Sequence, residues 1–285
     1  MSPIKLIECP RDAMQGIHKF IPTDLKAKYI NALLKVGFDT IDFGSFVSAK
    51  AIPQLKDTAE LVKKLDLTNT KSKLLAIVAN TRGAQDACQF EEINYLGFPF
   101  SISETFQQRN TNSSIQESLV KVEEIQNLCA KNNKKAVIYL SMGFGNPYGY
   151  DYNLEILGYW TEKLIDLDIQ TLALSDTIGA SNPENIKNIY PYLTKQYKQI
   201  EWGLHLHSTP QQSTEKIKTA FDSGCTRFDS ALKGFGGCPM AADNLTGNIA
   251  TENVIDYLKN AQIELSINNS AFAHALDISN EVFIS

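Results

Sequence analysis

The stretch Gly203-Leu204-His205-Leu206-His207-Ser208-Thr209-Pro210 passes from strand to helix within two residues. With Trp202 it reads as an extended run, and Thr209-Pro210 supplies a helix cap and a proline at the first helical position. In a strand rising about 3.3 Å per residue, side chains alternate faces, so His205 and His207 share one side, roughly 6.5 Å apart. Two imidazoles so placed can close on one metal ion. They are equally readable as ordinary polar residues on a half-buried strand, with Leu204 and Leu206 on the other face.

Working outward, short apolar runs alternate with helical patterns. Strands are predicted at 4–9, 40–43, 74–79, 95–101, 136–142, 171–175, 202–207 and 227–232, and helices at 23–36, 54–65, 82–90, 154–167 and 251–260. Ser114-Ile-Gln-Glu117 has the capping-box form and opens another helix. Asn182-Pro183 repeats the cap-and-proline device. Eight strands alternating with helices predict a single (β/α)8 TIM barrel. A doubly wound sheet would want a Gly-rich phosphate turn after the first strand, and Cys9-Pro10-Arg11-Asp12 is no such turn. The catalytic barrel is expected over 1–260, with a C-terminal helical or irregular extension over 261–285 packed across one end.

Composition bounds the partners. The 285 residues are 43% hydrophobic and 21% charged, with a net charge of −5 and no basic stripe, which argues against nucleic acid. The five scattered cysteines are odd in number and include no Cys-x-x-Cys, as in a reducing compartment. No apolar run approaches the roughly 18 residues of a membrane span, and no leader pattern is visible, so cytoplasm is expected.

In such a barrel, chemistry sits at the C-terminal ends of the strands. Those ends carry Arg11-Asp12, Asp42 with Gly44-Ser45, Ser103-Glu104, Ser175-Asp176-Thr177, the two histidines, and a loop containing Gly236-Gly237-Cys238-Pro239. Strand ends also attract Asp, Ser and Gly as turn residues, so the joint placement carries the weight. His205, His207 and an oxygen from Asp12 suit Mg2+ or Mn2+ rather than structural zinc. Arg11 beside a metal would stabilise a developing oxyanion, and Cys238 on a Gly-rich loop is a candidate acid or base. Read alone, Asp12 serves as well for a turn cap, Arg11 for a simple ion pair, and Cys238 for an inert buried thiol.

The motifs Pro10-Arg11-Asp12-Ala-Met-Gln15, Ser45-Phe-Val-Ser48, Ser103-Glu104-Thr-Phe106, Ser175-Asp176-Thr177-Ile-Gly179, His205-Leu-His207, Gly236-Gly237-Cys238-Pro239 and Gly247-Asn248-Ile-Ala-Thr251-Glu252 resemble, in order, those of the hydroxymethylglutaryl-CoA lyases. The resemblance implies a divalent ion, Mg2+ or Mn2+, on Asp12, His205, His207 and Asn248, and no organic cofactor. It implies Arg11 facing the enolate of acetyl-CoA, Cys238 as a general acid/base, and His205 moving a proton from the substrate hydroxyl. Arg11, Gln15, Asp42, Ser45 and Asp176 match substrate-binding positions, and Asn110 and Ser114 match the region near CoA. An acyl-CoA substrate, a homodimer and a place in leucine breakdown are implied as well. Departures from the family pattern are Ala13-Met14 for Gly-Leu, Asp42 for a glutamate, His18 for a lysine, and one extra residue between Cys238 and Asn248. The alternatives are a condensing synthase or aldolase on the same barrel, against which the absence of an appended second domain counts, and a non-catalytic metal-binding protein, which would be expected to lack Arg11 or Cys238.

Overall fold

The computed structural model describes residues 3–237 and 246–283. Eight parallel strands close into a barrel: β1 (Lys5–Glu8), β2 (Thr40–Ser45), β3 (Lys73–Ile77), β4 (Ile93–Ser101), β5 (Lys135–Ser141), β6 (Thr171–Ser175), β7 (Glu201–His205) and β9 (Arg227–Ser230). Closure pairs Lys5 with Arg227 and Glu8 with Ser230. β2, β6 and β9 are buried along their whole length, and β1, β3, β5 and β7 are buried beyond their first residue, as a parallel sheet covered on both faces requires. Cys238, a predicted acid/base, lies outside the described residues.

The helices follow the strands: α1 (Pro10–Gln15), α2 (Thr23–Leu34), α3 (Thr58–Leu61), α4 (Thr81–Ala87), α5 (Glu104–Thr111), α6 (Ile115–Lys131), α7 (Leu154–Ile165), α8 (Pro183–Gln196), α9 (Pro210–Asp222), α10 (Thr251–Asn260) and α11 (Asn269–Phe283). Ser114 forms the expected capping box with Glu117, and Asn182, expected as a cap, also forms one, with Asn185 reaching back to its nitrogen. Pro210 takes the first turn of α9, but the Thr209 hydroxyl makes no capping bond. No helix among the described residues is long and apolar enough to cross a membrane.

Two expectations change. The strand predicted through His207 ends at His205. His207–Ser208 forms a separate short strand, β8, antiparallel to β10 (Gly247–Asn248), so the chain has already left the barrel. The helix predicted over 54–65 breaks into 3-10 turns around α3, because its residues are held by distant partners. Gln54 accepts from Ile21 N and donates to Ile17 and Lys19 carbonyls, and Thr58 accepts from Ser45 N. The tail, expected as helical or irregular, takes the helical form as α11, which lies along α2. There Lys28 pairs with Glu281, and Phe283 packs edge-on to Tyr29 and stacks on Phe235 behind the barrel mouth.

One buried carboxyl anchors the turn that leads to the Gly-rich loop. Glu8 accepts from Leu232 N at 2.8 Å and from the Thr251 hydroxyl at 2.6 Å. Burial outweighs both bonds and pushes this carboxyl from 4.5 up to about 8. The folded chain therefore keeps a proton there that the unfolded chain has released, and this group's contribution to stability is lost as pH rises from about 4.5 through about 8. Glu8→Gln keeps an acceptor and cannot ionise. It should flatten the fall in urea-unfolding free energy across that window; a slope equal to wild type would mean Glu8 is already charged in the fold.

Candidate active site

Pro10 opens α1 directly after β1, so the next two residues are delivered to the mouth of the barrel on a single buried turn. Arg11 and Asp12 are 7% and 6% exposed. The Arg11 Nε donates to both Asp42 oxygens, at 3.2 and 2.9 Å, and Nη2 reaches Asp42 as well. Its Nη1 donates to Asp12 Oδ1 at 3.0 Å and to Gln15 Oε1 at 2.9 Å. Gln15 in turn donates to Asp12 Oδ1 at 2.7 Å. A fork-shaped cation with two carboxylates is the geometry in which a buried guanidinium is fully matched.

Asp12 faces the histidines. One ligand atom from each of Asp12, His205 and His207 lies within 4.8 Å of the others, and all three residues are buried. The two imidazole rings sit 5.2 Å apart, although their residues belong to different strands. The β8–β10 pairing sets Asn248 opposite His207, and the Asn248 amide nitrogen donates to Asp12 Oδ2 at 2.6 Å and to Phe235 O at 2.8 Å. Gly236 holds the loop against this cluster. Its φ is +98°, and a Cβ there would lie 2.7 Å from the Asn248 amide and 2.8 Å from Asp12 O.

The electrostatics prepare these groups to hold a cation. Burial would raise Asp12, but Arg11, the two histidines and the Asn248 hydrogen bond outweigh it and hold the carboxyl at about 2. Burial and the neighbouring His205 drive His207 down to about 4, so its ring is neutral, and its Nε2 is buried without a hydrogen-bond partner among the described residues. Burial would also lower His205, but Asp229 and Asp12 overcome it and raise its pKa. An ionised carboxylate beside a neutral imidazole with an unpartnered nitrogen fits a hard or borderline divalent ion. A second cluster, Cys9, His205 and Asp229, is equally close-set. Burial, followed by the charges of four carboxylates, pushes the Cys9 thiol well above its ordinary value, so it stays protonated and is a poor ligand.

A cavity of about 720 Å3 opens above the first cluster. Arg11, Asp12, Gln15, His205 and His207 form its floor, and Asn110 lies on its wall beside Arg109. Other residues singled out in the sequence lie off this wall. The Ser45 hydroxyl donates to Ile77 O, and Ser114 caps α6. Asp42 is wholly buried behind Arg11. Asp176 accepts from Ser181 N at 3.1 Å and lies 3.3 Å from Lys216 Nζ, bracing the loop after β6. The structure also brings in Tyr139, whose buried, unpartnered hydroxyl belongs to a ring edge-on to His205, and Asp229 beneath that histidine. Inward-facing positions along β5 and β9, two residues apart, were the sequence signal for both.

With the geometry in place, similarity to known proteins identifies the scaffold. The HMGL-like family model matches residues 4–279. The chain belongs to the HMGL-like family. It is 34% identical to hydroxymethylglutaryl-CoA lyase YngG of Bacillus subtilis over 90% of this chain and 85% of that protein. It is 31% identical to the human cytoplasmic 3-hydroxy-3-methylglutaryl-CoA lyase over 93% of this chain and 71% of that one. The Bacillus subtilis HMG-CoA lyase structure superposes with a TM-score of 0.92 at 32% identity, covering 100% of this chain and 95% of that chain. An Acinetobacter baumannii HMG-CoA lyase, solved with coenzyme A and 3-methylmalate, gives 0.89 at 28% identity over 99% and 91% of the two chains.

The family's usual glutamate is Asp42 here, and it still reaches Arg11 directly, because the whole carboxylate edge lies against the guanidinium. Removing it would leave a buried cation with only Asp12 for company. Asp42→Ala should lower the unfolding free energy by about 3–5 kcal/mol in urea titration; a loss below about 1 kcal/mol would mean Arg11 does not depend on this pair.

Proposed function

We propose that this chain cleaves 3-hydroxy-3-methylglutaryl-CoA to acetoacetate and acetyl-CoA by a retro-Claisen reaction. As a member of the HMGL-like family it is an enzyme, a carbon–carbon lyase. The observation that carries the reading is the meeting of Asp12, His205 and His207 with Arg11 on one floor, beneath a cavity large enough for an acyl chain.

Asp12, His205 and His207 would hold Mg2+ or Mn2+, with Asn248 joining once its amide oxygen turns inward from the present nitrogen-first arrangement. Such an ion supplies Lewis-acid polarisation of the substrate's hydroxyl and carboxylate oxygens. His205, on the cavity floor, accepts the proton of the tertiary hydroxyl. The oxygen lone pair left behind forms the ketone of acetoacetate as the carbon–carbon bond breaks. The electrons of that bond pass to the acetyl-CoA carbon and its thioester oxygen. Arg11 meets that oxygen's charge with a guanidinium already fixed by Asp42, so little reorganisation is needed as charge develops. Cys238, on the Gly-rich loop, would return a proton to the enolate carbon. Gln15 orients Arg11 and Asp12 from the same helix face.

The acyl-CoA enters along the wall carrying Asn110 and Arg109, where the family lysine is His18. The barrel of 1–260 and the extension of 261–285 act as one catalytic unit, and α11 steadies Phe235 at the loop's base. Assembly as a homodimer and service in leucine breakdown are what the family resemblance implies for this chain, and residence in the cytoplasm is proposed beside them.

A coupled acetoacetate assay tests the reading. Turnover of 3-hydroxy-3-methylglutaryl-CoA should appear with Mg2+ or Mn2+ and vanish on chelation; condensation of acetyl-CoA with a 2-oxo acid, without cleavage, would replace this reading with a synthase. Arg11→Gln should lower kcat by about 100- to 1000-fold at saturating Mn2+, and an unaltered kcat would remove Arg11 from the chemistry. Cys238→Ser should lose turnover and keep metal affinity; loss of the metal instead would make the thiol a ligand.

A further inference from the structure

Beneath the proposed metal floor lies a second layer of charge that the reaction as written does not use. Arg227 and Asp229 are consecutive inward positions of β9, 3% exposed each, and neither lines the cavity. Arg227 Nη1 lies 3.3 Å from Asp229 Oδ1, and its Nε lies 3.5 Å from Glu201 Oε1. Room for this arginine inside the barrel comes from Gly203, since a Cβ there would stand 2.9 Å from Arg227 Cδ. The glycine in the strand leading to the histidines thus has a packing reason in the charge on the neighbouring strand.

The other Asp229 oxygen faces a catalytic candidate. β7 and β9 pair with His205 opposite Asp229, and Asp229 Oδ2 lies 3.4 Å from His205 Nδ1. Both atoms are buried, and among the described residues neither has any other hydrogen-bond partner. Two buried, otherwise unpartnered polar atoms that face each other are each other's only means of satisfaction. Cys9 is the remaining neighbour, but its thiol is turned to Ile7 O at 3.8 Å. An Nδ1–H bonded to a carboxylate leaves Nε2, on the opposite edge of the ring, with the free lone pair.

We propose that Asp229, gripped by Arg227, is the positioning residue that fixes His205 with its Nδ1 proton turned down into the barrel and its Nε2 turned up to the cavity. This deepens the reading of His205 as ligand and proton acceptor and rests on it: the single lone pair, on Nε2, serves the ion or the hydroxyl proton in turn, never both at once. Arg227 fixes the polarity of the device: it is a donor, so whichever oxygen the residue at 229 retains is drawn to the arginine. An isosteric amide therefore presents its NH2 to His205 Nδ1 and reverses the tautomer, closing Nε2 with a proton.

The test is a long-range 1H–15N spectrum of protein labelled with [15N]histidine, in which only four rings need resolving. It is recorded with Mg2+ and again after chelation near pH 9, where a neutral ring reports its tautomer. Wild type should show Nδ1–H at His205. Asp229→Asn should show Nε2–H and weaken Mn2+ binding, read by EPR, about 10- to 100-fold. Arg227→Met with Asp229→Asn frees the amide to turn and should restore the Nδ1–H form and part of the affinity. An unchanged tautomer and Mn2+ affinity in Asp229→Asn would overturn the proposal. If that variant does not fold, Nε2–H at His205 in wild type overturns it and Nδ1–H supports it. None of these readouts needs a substrate, so failure to cleave the acyl-CoA would count against the functional reading and leave this one standing.

Discussion

The guanidinium of Arg11, held across its edge by Asp42 and at its tip by Asp12, is the interaction on which the mouth of the barrel depends. A buried cation must be matched by charge and by hydrogen bonds, or it destabilises the fold by more than most single contacts contribute. Here the match does two things at once. Asp42 neutralises and aims the guanidinium, and the guanidinium keeps Asp12 ionised in a place where burial alone would protonate it. The carboxylate so maintained is, among the described residues, the one that lies close to both histidines. Stability and chemistry are therefore coupled through one side chain, and the first turn of α1 follows β1 without a linker because that short path leaves the arginine little freedom.

The same economy holds the opposite side of the site. After β7 the chain leaves the barrel, and His207 is returned to it by a two-residue antiparallel pairing with Gly247–Asn248. That pairing ties the far end of the Gly-rich loop to the histidines. Glu8 and Glu252 hold the near end, through the backbone nitrogens of Leu232 and Lys233. The near root is anchored by carboxylates and the far root by backbone pairing, so both are held to the barrel mouth. Beneath, Arg227 and Asp229 add a polar layer where barrel interiors are commonly branched and apolar, and Gly203 makes the volume for it.

Much of this was legible in the residues. Alternation of short apolar runs with helical patterns gave eight strands, because buried parallel strands and amphipathic helices leave strong periodic signatures. The strand-end rule then found Arg11, Asp12, His205 and His207, which the fold does bring to one floor. Other readings ran aground on information that periodicity does not carry. Gln54 and Thr58 sit in a helical pattern, yet long-range hydrogen bonds break that helix. His207 alternates correctly with His205, yet belongs to another strand, since its pairing partner, Asn248, is 41 residues away. Ser45, Ser114 and Asp176 carry suitable side chains, but backbone groups and neighbouring residues claim them locally. Asp229 and Tyr139 sit within strands, where the strand-end rule does not look, and their contacts with His205 form only when the barrel closes.

The claim at the centre is that Asp12, His205 and His207 make one cation site open to the cavity, with the polar layer below it as support and not as a site. Anomalous difference density from crystals of the protein grown with Mn2+ addresses it most directly. A single peak bounded by Asp12, His205 and His207 on the cavity side is the expected result; a peak among Cys9, His205 and Asp229, or none at saturating Mn2+, would contradict it.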